Sequence, residues 1–346
     1  MFRRLIILLP IILLAVAVFA AFTQYQRWQA APLPLGADGE TIHVPPGVAL
    51  DALAEQLAAD GVIEHAWDLK LLARLRGDAA SVKAGEYELA PGLTLDGLLD
   101  KMVAGHVKLY ALTIVEGITV VELLDQLAAH PAIRHTLDDD VSAVTLAKEL
   151  GLPTDHAEGW FLPETWHFPR GTTDVAVLQR AHQAMREVLE SAWAGRDDGL
   201  PIDSAYEALI LASIIEKETA VESERTRIAG VFTRRLERGM RLQTDPTVIY
   251  GLGEKYTGDI RYRDLRTDTP YNTYTRSGLP PTPIALPGRE SILAAVHPAE
   301  GDALYFVARG PGREHVFSAT LEEHNRAVRK YQSERQPLET GQDDAT

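Results

Sequence analysis

The sequence predicts an α+β protein in three parts: an N-terminal transmembrane helix, a small strand–helix module, and a mixed α+β domain built on a buried central helix. Three observations carry this. Leu5 to Phe22 is eighteen residues without a charge. A strand–glycine–helix pattern recurs three times between residues 41 and 130. Ala208 to Ile215 is eight uncharged residues, followed at once by Glu216, Lys217 and Glu218.

The chain has 346 residues, 46% of them hydrophobic and 24% charged, which is globular composition with length for two domains. Its net charge of −15 argues against a nucleic-acid binder, which needs a basic face, and against attachment to anionic lipid by charge. No cysteine is present, so disulfides, thiolate catalysis and cysteine-ligated metals are excluded.

As a helix, Leu5–Phe22 would span roughly 27 Å, close to the hydrocarbon thickness of a bilayer. Arg3 and Arg4 precede it and only Arg27 follows closely, which predicts a cytoplasmic N-terminus and a chain that otherwise lies outside the cytoplasm. A cleaved signal peptide ending at Val18-Phe-Ala20 is the alternative, but the apolar run exceeds a usual signal core. Residues 1–22 are therefore expected to be an uncleaved anchor, and 23–40, with Pro32, Pro34 and Gly36, a linker.

In the repeats, Thr41–Val44, Gly85–Leu89 and Leu109–Val115 are predicted strands. They lead into helices ending near Ala59, Ala104 and Ala129. Leu50, Leu95 and Val120 each stand three before a leucine and share its face. One such unit is too small to bury its own face, so the copies are expected to pack into one module over 41–130. The rhythm resembles LysM-type units, which bind glycans containing N-acetylglucosamine; a plain spacer is the competing reading.

The domain over 131–332 holds an aromatic loop, Glu158-Gly-Trp-Phe-Leu-Pro-Glu-Thr-Trp166, suited to sugar stacking or to packing. A helix from about Val175 to Trp193 follows. Ser204-Ala-Tyr-Glu207 fits a capping box at the start of the central helix. On a wheel of about 100° per residue, Glu218 continues the apolar stripe of Leu211, Ile214 and Ile215, whereas Glu216 points roughly 160° away. A carboxyl group held against apolar side chains loses hydration and its pKa rises, as a general acid near neutrality requires. A helix from Ile228 to Glu237, a segment held extended ahead of Pro246, a proline-rich loop over 277–288, a helix near Arg289, a hairpin about Gly310-Pro-Gly312 and a helix over 321–331 complete the domain. The polar tail 333–346 is predicted to be disordered.

Ala212-Ser-Ile-Ile-Glu-Lys-Glu-Thr219, Arg241-Leu-Gln-Thr-Asp-Pro-Thr-Val-Ile-Tyr-Gly251, Tyr271-Asn-Thr-Tyr274, Gly278-Leu-Pro-Pro281 and Ala295-Val-His-Pro298 together resemble the MltG (YceG-like) endolytic murein transglycosylases. The motifs stand in that family's order, and the likeness runs from the anchor to about residue 331. It implies a single-pass inner-membrane protein with a periplasmic catalytic domain. Such a protein cleaves nascent peptidoglycan strands between N-acetylmuramic acid and N-acetylglucosamine, leaves 1,6-anhydro ends and terminates glycan elongation. The resemblance places the catalytic glutamate on Glu218, the residue the wheel selects independently.

Gln243, Thr244, Asp245, Tyr271, Asn272, Thr273 and Tyr274 are the candidate substrate-binding residues, polar groups set in rigid or apolar segments as a sugar cleft needs. No cofactor and no metal is expected. The expected partners are peptidoglycan strands and the cytoplasmic membrane, with peptidoglycan synthases as candidate protein partners. Two rival functions share these residues: a hydrolytic muramidase using Asp245 as second carboxylate, and a membrane-anchored glycan-binding scaffold. A pyridoxal-phosphate lyase built on Lys217 lacks a phosphate loop.

Overall fold

The computed structural model describes residues 2–310 and 314–332, with side chains described from Leu13 to Tyr331. Its contacts fall into two compact units, Met1–Tyr110 with His167–Gly171, and Ala111–Trp166 with Thr172–Thr346.

The first unit opens with helix α1 (Phe2–Gln29). The helix does not stop at Phe22, because no breaker stands between there and Pro32, so the expected linker begins as helix. Leu13, Leu14, Val16, Val18, Phe19 and Phe22 are exposed along it. Among the described residues no helix is long and apolar enough to cross a membrane. The side chains of residues 5–12, part of the expected apolar run, lie outside those described.

Strand β1 (Glu40–Val44) leads to helices α2 (Leu50–Ala59) and α3 (Ala66–Arg76), then β2 (Gly85–Leu89) and α4 (Leu95–Ala104). β1 and β2 pair antiparallel with Ile42 opposite Tyr87. α2 and α4 begin at Leu50 and Leu95, the apolar positions that the repeat marks, and bury Leu53, Leu57, Leu98 and Leu99 against Tyr87. α3 lies outside the repeat rhythm; it packs Leu69 and Leu72 into the same core and ends at Gly77, whose φ of 77° only glycine adopts freely.

Next come β3 (Leu109–Thr113), α5 (Val120–Ala129), β4 (Ile133–Arg134), α6 (Ala143–Leu150), β5 (Thr165–Pro169) and β6 (Thr172–Thr173). β3 pairs with β5, and β4 with β6 in parallel. α5 carries a full capping box between Thr119 and Glu122.

The second unit's core is assembled on helices α7 (Asp174–Ala194) and α8 (Ala205–Glu218). Ser204 caps α8 by accepting from the Glu207 N–H, while the Glu207 carboxylate reaches one residue further back, to the N–H of Asp203. Every residue from Ala208 to Ile215 is at most 3% exposed. Ser213, the one polar member, donates to Ile210 O and accepts from Ile284 N, so its hydroxyl is satisfied. Around α8 pack α7, α9 (Arg225–Glu237), α10 (Asp245–Leu252) and α11 (Arg289–Val296). The chain closes with the antiparallel pair β7 (Tyr305–Ala308) and β8 (His315–Ser318), then α12 (Leu321–Gln332). Residues 311–313 of the expected turn and the tail 333–346 lie outside the described residues.

Candidate active site

Glu218 is the last residue of α8, and Thr219 beyond it turns extended, with φ −147°. Pro246 dictates what faces it. A proline is accepted in the first turn of a helix, so α10 starts at Asp245, and the extended residue is Thr244, with φ −113° and ψ 125°. Thr244 is thereby held under Glu218, and its Oγ1 donates a hydrogen bond to Glu218 Oε1. Thr244 N donates to Thr273 Oγ1 (3.1 Å), Thr247 Oγ1 to Thr244 O (2.8 Å), and Thr247 and Thr273 share a hydroxyl contact of 2.9 Å. Three buried threonines therefore form a closed knot behind the acid, with Thr244 as its exit.

Gln243 is the only described non-glycine residue in the left-handed region, with φ +53°. That conformation costs a side-chain-bearing residue about 1–2 kcal/mol and persists where its surroundings insist on it. Gln243 N donates to Thr273 O, and its carboxamide oxygen accepts from Arg235. Arg235, on α9 and 7% exposed, also donates to the carbonyls of Leu304 and Leu242, each at 2.7 Å.

Glu218, Gln243, Asp245 and Tyr274 line one cleft of about 440 Å³, together with Arg235, Tyr305, His324 and Asn325. Tyr274 Oη donates to Asp245 Oδ1 at 2.6 Å. Loss of hydration pushes the Glu218 carboxyl up to about 7, with the Asp245 charge adding to it; the Thr244 hydroxyl and Arg235 pull the other way. The carboxylate's surroundings are thus more polar than the apolar stripe of α8 alone implies.

The remaining candidates stand elsewhere. Asn272 is fully buried and spent on its own loop: Nδ2 donates to the carbonyls of Leu265 and Thr267, and Oδ1 accepts from Tyr274 N. Thr273 belongs to the threonine knot. Tyr271 bonds Thr282 and packs edge-on to Tyr250, ring centres 4.9 Å apart, away from the cleft lining.

Glu216, which points away from the apolar stripe, lies in a paired niche. Its side chain is 6% exposed, its Oε2 accepts from Gly288 N at 2.9 Å, and Arg225 stands 3.7 Å away. A further acid, Glu158, is 1% exposed and also pushed up to about 7 by burial. It accepts from Tyr250 Oη and Val120 N, both at 3.0 Å, and so ties α10 to the start of α5.

Arg235, Tyr305, His324 and Asn325 escaped the sequence reading. Arg235 carried a usable signal, since it continues the buried α9 stripe of Ile228 and Phe232, where a cation needs a reason. Among the described residues no cluster of three or more histidines or carboxylates is placed to hold a metal.

A carboxyl group with a raised pKa thus opens on a cleft of carboxamides, hydroxyls and aromatic rings that also holds the Asp245 carboxylate and the Arg235 guanidinium. Residues 42–330 match the YceG-like family, and the chain belongs to it. It is 32% identical over 317 residues to an endolytic murein transglycosylase of Bacillus subtilis, covering 86% of this chain and 87% of that protein. It is 26% identical over 357 residues to the endolytic murein transglycosylase of Streptococcus pneumoniae D39, covering 93% of this chain but 64% of that longer protein. The crystal structure of a yceG-like protein from Listeria monocytogenes superposes with TM-score 0.52 at 32% identity, over 84% of this chain and 99% of that one.

Proposed function

We propose that this chain is a lytic transglycosylase of peptidoglycan in which Glu218 acts first as acid and then as base. The observation that carries the reading is the Glu218 carboxyl, held near pKa 7 at the edge of the cleft. Because Oε1 accepts from Thr244, the proton resides on Oε2. It passes to the glycosidic oxygen as the bond to C1 of N-acetylmuramic acid breaks, and N-acetylglucosamine leaves as an alcohol. The carboxylate then takes the proton of the C6 hydroxyl while O6 bonds to C1, closing a 1,6-anhydro ring. No water is consumed, and Glu218 ends protonated as it began, so the second carboxylate of ordinary glycosidases is not required. Asp245 lies in the same cleft and is the residue a hydrolytic route would use.

The names of the Bacillus subtilis and Streptococcus pneumoniae relatives support an endolytic cut in murein. Termination of glycan elongation is the consequence proposed for such a cut. The long helix Phe2–Gln29 and its exposed leucines, valines and phenylalanines support an N-terminal single-pass anchor in the cytoplasmic membrane, with the remainder periplasmic. The strand–helix copies over 41–130 are proposed to hold glycan in the LysM manner, and peptidoglycan synthases to be partner proteins.

Digestion of purified glycan strands, with products weighed, tests the chemistry. Ring closure leaves fragments one water lighter than hydrolysis does. Glu218→Gln is expected to remove two proton transfers, each worth about 10²–10⁴-fold in rate. Hydrolysed ends, or anhydro ends released by the variant at near the original rate, overturn the mechanism.

A further inference from the structure

The cleft wall formed by β7 and α12 has no part in the acid–base chemistry. Leu321, His324, Asn325 and Val328 all line it. Their spacing of three, four and seven residues puts them on one helix face. A face turned to a core at that spacing would be apolar throughout. Here Leu321 and Val328 bracket a polar pair, and Asn325 is exposed. The His324 ring is fixed by stacking on Tyr305, with centres 5.3 Å apart and planes 26° apart. Its Nδ1 is shut from solvent and has no hydrogen-bond partner among the described residues, so the half-buried ring meets the cleft by its remaining edge.

We propose that this wall recognises the 2-acetamido group of a hexosamine ring, with His324 and Asn325 as the hydrogen-bonding residues. The assignment rests on the transglycosylase reading for the identity of the polymer, and on the wall's own chemistry for the group. An acetamido group offers an N–H donor, a carbonyl acceptor and a methyl. A carboxamide has both a donor and an acceptor, and so has a neutral imidazole. Burial and the nearby Arg235 charge disfavour protonation of His324, keeping it neutral. Leu321 and Val328 provide apolar surface for the methyl and the ring carbons. The four α12 residues are themselves uncharged and offer a donor, an acceptor and apolar surface together, the set an acetamido group needs; the charges of the cleft, Arg235 and Asp245, stand on other elements.

The test uses the full-length Glu218→Gln protein, which binds without turnover, and two neutral probes: chitotetraose, and cellotetraose, which carries a hydroxyl where chitotetraose carries the acetamido group. The parent is expected to prefer chitotetraose. His324→Ala and Asn325→Ala should each weaken chitotetraose binding about 5–10-fold, the value of one hydrogen bond, and leave cellotetraose unchanged. With Glu218 restored, the same substitutions should raise KM on glycan strands and leave kcat within about twofold. Asn325→Ala changes an exposed side chain and keeps the test valid if His324→Ala melts early. Equal loss for both probes, no loss for either, or a fall in kcat at constant KM overturns the assignment. The binding arm needs no turnover, so it reads independently of whether anhydro ends are formed.

Discussion

At the scale of single residues, the Glu218–Thr244 hydrogen bond gives the sharpest expectation. The Thr244 hydroxyl stabilises the carboxylate, so Thr244→Val should let the Glu218 pKa rise further. Since the reaction starts from the protonated acid, wild-type activity should fall as pH rises through about 7. In the variant this basic limb should move to higher pH, with a lower plateau because the acid is less firmly placed. A limb that stays put or moves down would contradict the contact. Glu216→Gln tests the neighbouring acid in a different currency. Gly288 N keeps an acceptor, but Arg225 loses a partner, so the melting temperature should drop with a cost of about 1–3 kcal/mol while anhydro products still form. Loss of all product in a folded Glu216 variant would reassign the acid. Glu218 was legible from the sequence because helical geometry continues its apolar stripe. Asn325 was not, since nothing local says that a helix residue will face a cleft assembled from segments far apart in the chain, and the signal at Arg235 marks a buried cation without saying which cleft it faces.

At the scale of elements, α8 was the most legible, because eight uncharged residues leave a helix no water-facing side. Leu211→Ala should destabilise by about 2–5 kcal/mol, the usual cost of a cavity in a close-packed core, read as a shift in denaturant midpoint at unchanged slope. A cost below about 1 kcal/mol would mean that the helix is looser than its burial indicates. The repeat helices were legible at their ends, Ala59, Ala104 and Ala129, and Leu50, Leu95 and Val120, read as sharing a leucine's face, prove to be their first residues. α3 and α6 were not, because neither follows the strand–glycine rhythm that marks the three repeat helices. The threonine knot was hidden for another reason. Thr244 and Thr273 are 29 positions apart, and the two segments are joined by contacts that no local pattern announces: Gln243 N to Thr273 O, and Tyr274 Oη to Asp245, with Asn272 clamping the loop.

For the molecule as a whole, two acids with raised pKa, Glu158 buried and Glu218 half-buried, contribute a fall of stability with rising pH. Glu158 and Glu218 both hold their protons to about pH 7 when folded and release them near 4.5 when unfolded. Their contribution is therefore full below about 4.5 and is lost as pH rises through 7, on the order of 3 kcal/mol for Glu158. His156, His182 and His324, whose burial disfavours protonation, act in the opposite direction, so the comparison is made with a variant. In thermal melts taken between pH 5 and 8, Glu158→Gln should show a less negative dependence of the midpoint on pH than the wild type, because an amide does not titrate. A variant with the wild-type slope would show that Glu158 is ionised in the folded protein. Neither the N–H of Val120 nor the partner Tyr250 could be foreseen from Glu158's place in the sequence, 38 residues after the one and 92 before the other.

The position of Glu218 as the final residue of α8 has an electrical consequence. The last carbonyls of a helix have no N–H partners within it, and together they amount to about half a negative charge at that end. An acid placed there meets its own backbone as a like charge. The helix that carries Glu218 therefore also makes it reluctant to ionise. The same residue at the other end of such a helix would be drawn toward the ionised state and would make a poorer proton donor.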